Sequence, residues 1–389
     1  MKSRQLLVIL IISFAALSFY IISAKKDKAA SHSSLLKQLP SFFTDSIHLD
    51  PGNLYSDAKA ELGRYLFYDR RLSINKTKSC ASCHDQKFSF TDGYRRSIGA
   101  LGDLHQRNSS PLINIIYKEY LTAADSGLHY PEQQINNPMF HDGPVELGWK
   151  GNENVILNRI RVDKFYQAKF KEIAGSEGGL ITTGDIQYCI SSFVKSILVY
   201  NSPFDKYFYQ KQDVLSASEK RGMQLFFSVR LKCSNCHGGN NFDEPVIKDN
   251  YGKTSFFFNT GLYNIDGKGG YPAYDKGLYE LNGKLKDIGK YRVPTLRNLA
   301  FTAPYYHDGG ATSLEEVIRN YEKGGRIITN GLLKGDGSAN PYKNDLIKGF
   351  SLTSGERIDL VNFLLSLSDS SILTNKSYSN PFQYDETKL

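Results

Sequence analysis

Two pentads carry the reactive side chains of this sequence: Cys80-Ala81-Ser82-Cys83-His84 and Cys233-Ser234-Asn235-Cys236-His237. Each places two thiols one helical turn apart, with an imidazole directly after the second. Thiols at that spacing add to the two vinyl groups of a haem, and the following His ligates the iron from below. Two other chemistries use Cys-x-x-Cys. A zinc ribbon brings its second pair back within about 20 residues, whereas these pairs begin at residues 80 and 233. A thioredoxin-like dithiol needs a single pair beside a βαβ pattern, which is absent. Cys189, the remaining cysteine, sits in the apolar stretch 186–200 and reads as a buried helix residue. Two covalently bound haem c groups are therefore the expected cofactors, on Cys80, Cys83 and His84 and on Cys233, Cys236 and His237.

The segments that must position these pentads repeat. Gly63-Arg64-Tyr65-Leu66-Phe67 precedes the first and Gly222-Met223-Gln224-Leu225-Phe226 the second, so Gly-x-x-Leu-Phe recurs on a helical period before a short loop and a haem site. An internal duplication with one haem domain per copy follows. Ser56 or Asp57 is expected to cap the first helix, and Ser216 or Ser218 the second. A helical pattern over 183–200 links the halves and ends at Asn201-Ser202-Pro203-Phe204-Asp205. The boundary is placed near 210, giving an N-terminal domain over 25–210 and a C-terminal domain over 211–389. Loops rich in Gly and Asn fill 238–290, and helical patterns return over 314–321 and 354–367. Strand signals are few. The expected fold is mainly α: two cytochrome c-like haem domains with long loops.

The chain of 389 residues opens with Met1-Lys2-Ser3-Arg4, an apolar run over 6–22, then Lys25, Lys26 and Lys28. Residues 1–24 read as a secretory signal peptide or an uncleaved signal anchor, the run lying near the lower limit for a membrane span. No Cys follows it, which excludes a bacterial lipoprotein anchor. Export to the periplasm suits the pentads, since bacteria attach haem c outside the cytoplasm. The net charge of +8 is a mild basic bias without a dense Lys/Arg cluster, so nucleic-acid binding is not expected. Aromatic residues make up 13% of the chain, which suits burial of two apolar macrocycles.

Further motifs carry a resemblance to a family. Arg292-Val293-Pro294-Thr295-Leu296-Arg297-Asn298, followed by Thr302-Ala303-Pro304-Tyr305-Tyr306-His307-Asp308-Gly309, resembles the C-terminal signature of bacterial dihaem cytochrome c peroxidases and their MauG relatives. Thr260-Gly261-Leu262-Tyr263, Ser202-Pro203-Phe204-Asp205 and Arg107-Asn108-Ser109-Ser110-Pro111 are similar to that family too. The likeness runs from about residue 55 to 367, with the motifs in order.

The resemblance implies unequal roles for the two haems. The one on His84 would be peroxidatic, with an open face for peroxide. The one on His237 would relay electrons and take a sixth ligand fourteen residues after His307, which is Tyr321. The peroxidase branch has Met there and the MauG branch Tyr; a hard, anionic phenolate favours oxidised iron and lowers its potential relative to a thioether. Gln134, Pro138 and Glu146 would form the catalytic set above the first haem, Glu146 as acid–base residue, with Glu153 and Glu132 as fallbacks. The interval from Pro138 to Glu146 is two residues longer than in the peroxidase pattern. Asn108, Thr302 and Pro304 would hold a calcium ion between the domains. Three departures stand out. Ala100 occupies the place of the distal His that caps the resting peroxidatic haem, with His105 nearby but out of register. The inter-haem Trp-Asp-Gly-Arg step is reduced to Ala124-Asp125-Ser126-Gly127, and the chain's one Trp is Trp149. His141-Asp142-Gly143 echoes His307-Asp308-Gly309 and reads as coincidence.

The favoured function is a dihaem peroxidase that reduces hydrogen peroxide to water with electrons from a small donor such as a cytochrome c or cupredoxin. The alternative is a MauG-like oxidase that uses peroxide to modify residues of a partner protein. A non-enzymatic dihaem electron carrier is a third reading, opposed by Gln134, Pro138 and Glu146. Inner-membrane anchoring and a homodimer both remain open.

Overall fold

The computed structural model describes residues 33–43, 47–174, 179–248 and 254–382. The segment expected to be a signal or anchor lies outside them. Among the described residues no helix is long and apolar enough to cross a membrane.

The protein is moderately helical, with long loops and few strands. Its helices of eight or more described residues are α1 (Asp57–Tyr68), α2 (Glu153–Arg161), α3 (Lys164–Ala174), α4 (Thr183–Lys195), α5 (Ala217–Phe226), α6 (Leu314–Glu322) and α7 (Ser354–Ser366). Two short antiparallel pairs complete the regular structure: β1 (Phe257–Phe258) with β2 (Tyr291–Arg292), and β3 (Ile327–Ile328) with β4 (Gly335–Asp336). Ser56 caps α1, its Oγ accepting from the Lys59 N–H at 3.2 Å. Ser216 caps α5, and Glu219 returns a bond to the Ser216 N–H at 2.6 Å, a reciprocal box.

The repeated Gly-x-x-Leu-Phe has a physical cause. α1 crosses α4 with Gly63 against the Cys189 carbonyl, and α5 crosses α7 with Gly222 against the Asp359 carbonyl. A Cβ at either glycine would overlap that oxygen, so only glycine allows the approach. The Leu-Phe pair then points inward: Leu66 and Phe67 belong to one core, and Phe226 to another, with Leu225 packed against it. Cys189 is buried in α4, as expected.

The first core gathers α1, α2 and α4, and the second α5, α6 and α7. The chain laces them together. Phe204, in the helical turn Pro203–Phe208, packs in the second core, and Ile372 near the C-terminus packs in the first. Tyr68 Oη donates to the Tyr378 carbonyl at 2.7 Å, and Gln86 Nε2 to the Ile372 carbonyl at 2.8 Å. Arg297 and Asp205 form a wholly buried, two-bond ion pair at 2.8 and 2.9 Å.

The helical pattern over 183–200 stops at Lys195. Beyond it, Ile197 and Val199 bond instead to Asn114: the Asn114 N–H donates to the Ile197 carbonyl at 2.9 Å, and the Val199 N–H to Asn114 Oδ1 at 2.8 Å. Three β-branched or bulky residues in a row favour that extended pairing over another helical turn.

Candidate active site

The two pentads fold alike. Cys80–Ser82 and Cys233–Asn235 are each one 3₁₀ turn, and the following His N–H donates to the first Cys carbonyl, at 3.0 Å for His84 and 2.9 Å for His237. His84 Nδ1 meets the Phe90 carbonyl at 2.9 Å, and His237 Nδ1 the Phe242 carbonyl at 3.0 Å. An Nδ1–H donated to a backbone carbonyl leaves the Nε2 lone pair for a metal and fixes the ring. Burial keeps both imidazoles neutral, lowering the His84 pKa and taking that of His237 to about 4. Burial also pushes the thiols up, to about 12 for Cys80 and Cys233 and about 11 for Cys83 and Cys236. Among the described residues no three His, Cys, Asp or Glu side chains converge as a metal cage, so the pairs do not pool into a zinc site.

Above the second pentad lies a cavity of about 300 Å³. Cys233, Cys236, His237 and Tyr321 all line it, with Phe226, Leu296, Ile318 and Leu364 among its apolar walls. Helix α6 carries both Ile318 and Tyr321, one turn apart and hence on one face. Burial, then the neighbouring Tyr306 and Cys236, raises the Tyr321 pKa strongly. Its phenol stays protonated unless a cation meets the oxygen. Lys118 and Arg292 also line the cavity. Both are buried, Arg292 Nε lacks a hydrogen-bond partner, and Asp243 stands 3.8 Å from the Arg292 guanidinium. Burial and then Arg292 lower the Lys118 pKa. Two buried cations facing one carboxylate leave room for a further anion, which suits the propionate edge of a haem.

The first pentad has a different upper side. Glu146 is 28% exposed, and burial lifts its carboxyl to about 7. Its charge is felt at Cys83 and Cys80, where it adds to burial in raising both thiols. Pro138 adjoins it, the Leu147 N–H donating to the Pro138 carbonyl at 3.0 Å. Gln134 lies one helical turn before Pro138, half-buried, with no side-chain hydrogen bond among the described residues. His105, out of register in the sequence, lies beside Glu146 in three dimensions. The Ile98–Leu104 bridge folds its loop back, so that His105 Nδ1 stands 3.8 Å from Glu146 Oε1 while its buried Nε2 has no partner. Burial and then His84 lower its pKa. Ala100 occupies the same turn, its N–H donating to the Glu146 carbonyl at 2.8 Å.

The fallback carboxylates have other tasks. Glu132 pairs with the fully buried Lys195 and accepts from Asn53 Nδ2 at 2.6 Å. Glu153 begins α2 and accepts from the Gly151 N–H at 3.2 Å. Trp149 is fully buried, its Nε1 donating to the Leu72 carbonyl at 2.7 Å, so it is a core residue. His141 is an exposed loop residue, its Nδ1 accepting from the Gly143 N–H at 3.3 Å. Asn108, Thr302 and Pro304 line one side of the same cavity. The Asn108 N–H donates to the His307 carbonyl at 2.6 Å, and its Nδ2 to the Tyr94 carbonyl at 2.7 Å, while Oδ1 has no hydrogen bond among the described residues. The two halves meet at the Asn108–His307 bond, and next to it Ser109 Oγ donates to the Cys83 carbonyl at 2.6 Å and stands 3.2 Å from His84 Nδ1.

Comparisons with known proteins place the chain among dihaem peroxidases. The profile of a family described as di-haem cytochrome c peroxidase matches residues 57–213. The chain is 32% identical to cytochrome-c peroxidase IdrP1 of Pseudomonas sp. (strain SCT), over 85% of this chain and 86% of that protein. It is 26% identical to methylamine utilization protein MauG of Methylorubrum extorquens, over 83% of this chain and 82% of the relative. Among solved structures, a MauG-like protein associated with microbial copper homeostasis superposes with a TM-score of 0.84 at 38% identity, covering 89% of this chain and 99% of that one.

Proposed function

The chain belongs to the di-haem cytochrome c peroxidase family, and on that premise we propose how its residues serve peroxide reduction. It is an oxidoreductase of the peroxidase class with two haems as cofactors. Each haem is held covalently, through Cys80 and Cys83 over His84 and through Cys233 and Cys236 over His237, in two cytochrome c-like domains divided near residue 210. The haem supplies the iron at which peroxide binds and the route by which electrons reach it.

The reading is carried by Glu146. A carboxyl with a pKa near 7 accepts and returns a proton at neutral pH with little driving force lost in either direction. With a haem held on His84, Glu146 would take the proton of one peroxide oxygen and return it to the other, the haem supplying the chemistry of O–O cleavage. His105, 3.8 Å from Glu146, would orient it, and Pro138, with Gln134 one turn before it, lies on the segment that bonds the neighbouring Leu147. A pure electron carrier has no use for such a group. At the second pentad, Tyr321 would serve as the further iron ligand of the haem, and Lys118 and Arg292, which line the same cavity, would meet its carboxylate groups. Calcium, which Asn108 Oδ1 and the carbonyls of Thr302 and Pro304 would hold, would pin the two halves together where Asn108 meets His307. Few protein ligands with several waters suit that hard cation.

Electrons come from a small redox protein, a cytochrome c or cupredoxin, and the protein works in the periplasm. The second reading, oxidation of residues in a partner protein, is favoured by Tyr321 at the position where the MauG branch has Tyr. The test is direct. Peroxide is added to the diferric protein while the Soret band and donor oxidation are followed. Both should respond; a silent Soret band and no donor turnover would eliminate every peroxide-active reading.

A further inference from the structure

The hydrogen bonds around His84 fix its proton on Nδ1. The Phe90 carbonyl, 2.9 Å away, can only accept, so Nδ1 carries the hydrogen. Ser109 Oγ stands 3.2 Å from the same nitrogen. Its own hydrogen is committed elsewhere, donated to the Cys83 carbonyl at 2.6 Å. The hydroxyl therefore turns a lone pair to His84 and accepts. One N–H is shared between two acceptors, a three-centre bond.

His237 lacks this arrangement. Its Nδ1 meets the Phe242 carbonyl at 3.0 Å, and no side chain among the described residues bonds to it. The two sites otherwise correspond. Burial lowers the pKa of both imidazoles, and the backbone opposes it, through Phe90 and Ser110 at His84 and through Phe242 and Pro294 at His237. Ser110 and Pro294 thus hold equivalent places. The residue before each is Ser109 in one copy and Val293 in the other. Val293 is buried and has no hydroxyl to offer. The chain also clamps Ser109 where it stands. Arg107 forms two bonds to the buried Asp275, at 3.0 and 2.7 Å, and the Asn108 N–H donates to the His307 carbonyl at 2.6 Å.

We propose that Ser109 is a positioning residue of the first haem site alone: with the Phe90 carbonyl, its hydroxyl holds the His84 Nδ1–H between two acceptors and makes His84 the stronger iron ligand of the two histidines. The inference rests on the haem attachment proposed for His84. Each acceptor draws on the Nδ1 proton and leaves more electron density at Nε2. A stronger ligand favours oxidised iron and lowers its reduction potential, which suits the site that meets peroxide. At His237 the same position is apolar, and the imidazole has one acceptor fewer.

The test compares the holoprotein with Ser109→Val, which gives the first site the residue of the second, and with Ser109→Thr, which keeps the hydroxyl. Resonance Raman of the ferrous protein reads the iron–histidine stretch, and a spectroelectrochemical titration reads the midpoint of each haem. Ser109→Val should lower the stretching frequency and shift the ferric–ferrous equilibrium of the first haem about two- to tenfold toward ferrous. The second haem should keep its wild-type midpoint, and Ser109→Thr should keep both wild-type readings. If Ser109→Val does not fold, Ser109→Ala is read against Ser109→Thr in the same way. A wild-type stretch and midpoint without the hydroxyl overturn the inference. So does an equal change in Ser109→Val and Ser109→Thr, or an equal shift of both haems, since packing alone would cause either. A wild-type protein with no haem on Cys80 and Cys83, read by peptide mass spectrometry, overturns the attachment and the inference with it.

Discussion

Replacing Glu146 by Gln separates the catalytic role of this residue from its structural cost. The side chain is 28% exposed, and burial alone lifts its carboxyl from 4.5 to about 7. At about 1.4 kcal/mol for each tenfold change in proton affinity, that displacement corresponds to about 3 kcal/mol of differential interaction. The sign follows from linkage. The folded pKa lies above the unfolded one, so between pH 4.5 and about 7 the folded state holds a proton that the unfolded state has released. Stability therefore falls as pH rises through that window, and the whole cost is present above it. The amide carries no charge, so Glu146→Gln should match the wild type near pH 4 and exceed it by up to about 3 kcal/mol near pH 8. Denaturant unfolding of the holoprotein at both pH values reads this. Removal of a positioned acid–base group should slow peroxide cleavage about 10²–10⁴-fold, and stopped-flow Soret changes read that. The wild-type rate should rise with pH about a midpoint near 7, since only the carboxylate accepts the first proton, and the variant should lose that dependence. A variant that gains stability at pH 8 yet turns over peroxide at the wild-type rate would refute the acid–base role while leaving the buried charge intact. A variant with neither change would refute both.

Other perturbations test the remaining parts. Tyr321→Phe should change the EPR and resonance Raman signature of one haem only; an unchanged spectrum would remove Tyr321 from the sixth position. Gly63→Ala and Gly222→Ala should each destabilise by at least about 1–3 kcal/mol, because both put a Cβ into the carbonyl of a crossing helix; thermal unfolding checks it, and a neutral result at either would contradict the duplicated crossing. Asp205→Ala strands Arg297 in a wholly buried setting and should cost about 3–5 kcal/mol, read in urea. Stripping divalent cations with a chelator should slow electron transfer between the haems, and added Ca²⁺ should restore it; indifference to both would argue against a cation at Asn108.

What was legible in the sequence follows from how local each constraint is. The pentads, the Ser56 and Ser216 caps and the Gly-x-x-Leu-Phe repeat each lie within a turn or two of chain, and the backbone has little choice once they are written. The candidate active-site carboxylate was not of that kind. Glu132, Glu146 and Glu153 look alike in sequence, and partners decide between them. Glu132 has Lys195 and Asn53, and Glu153 has the start of α2. Glu146 is partly buried, with no Lys or Arg partner and no cap, facing a His at 3.8 Å. His105 was hidden for a related reason: a bridge between Ile98 and Leu104 brings it to the pocket five residues beyond Ala100, a displacement that linear spacing does not register. Lys118 and Arg292, far apart in the chain, became a pair only where both line the cavity of the second haem. The two copies thus share their lower halves, the 3₁₀ turn and the His held through Nδ1, because those are built by contiguous residues. They differ in their upper halves, which loops from elsewhere supply. An uncompensated carboxyl beside one pentad, and a phenol with apolar walls at the other, are what would direct peroxide to the first site and leave the second to pass electrons under the proposed function.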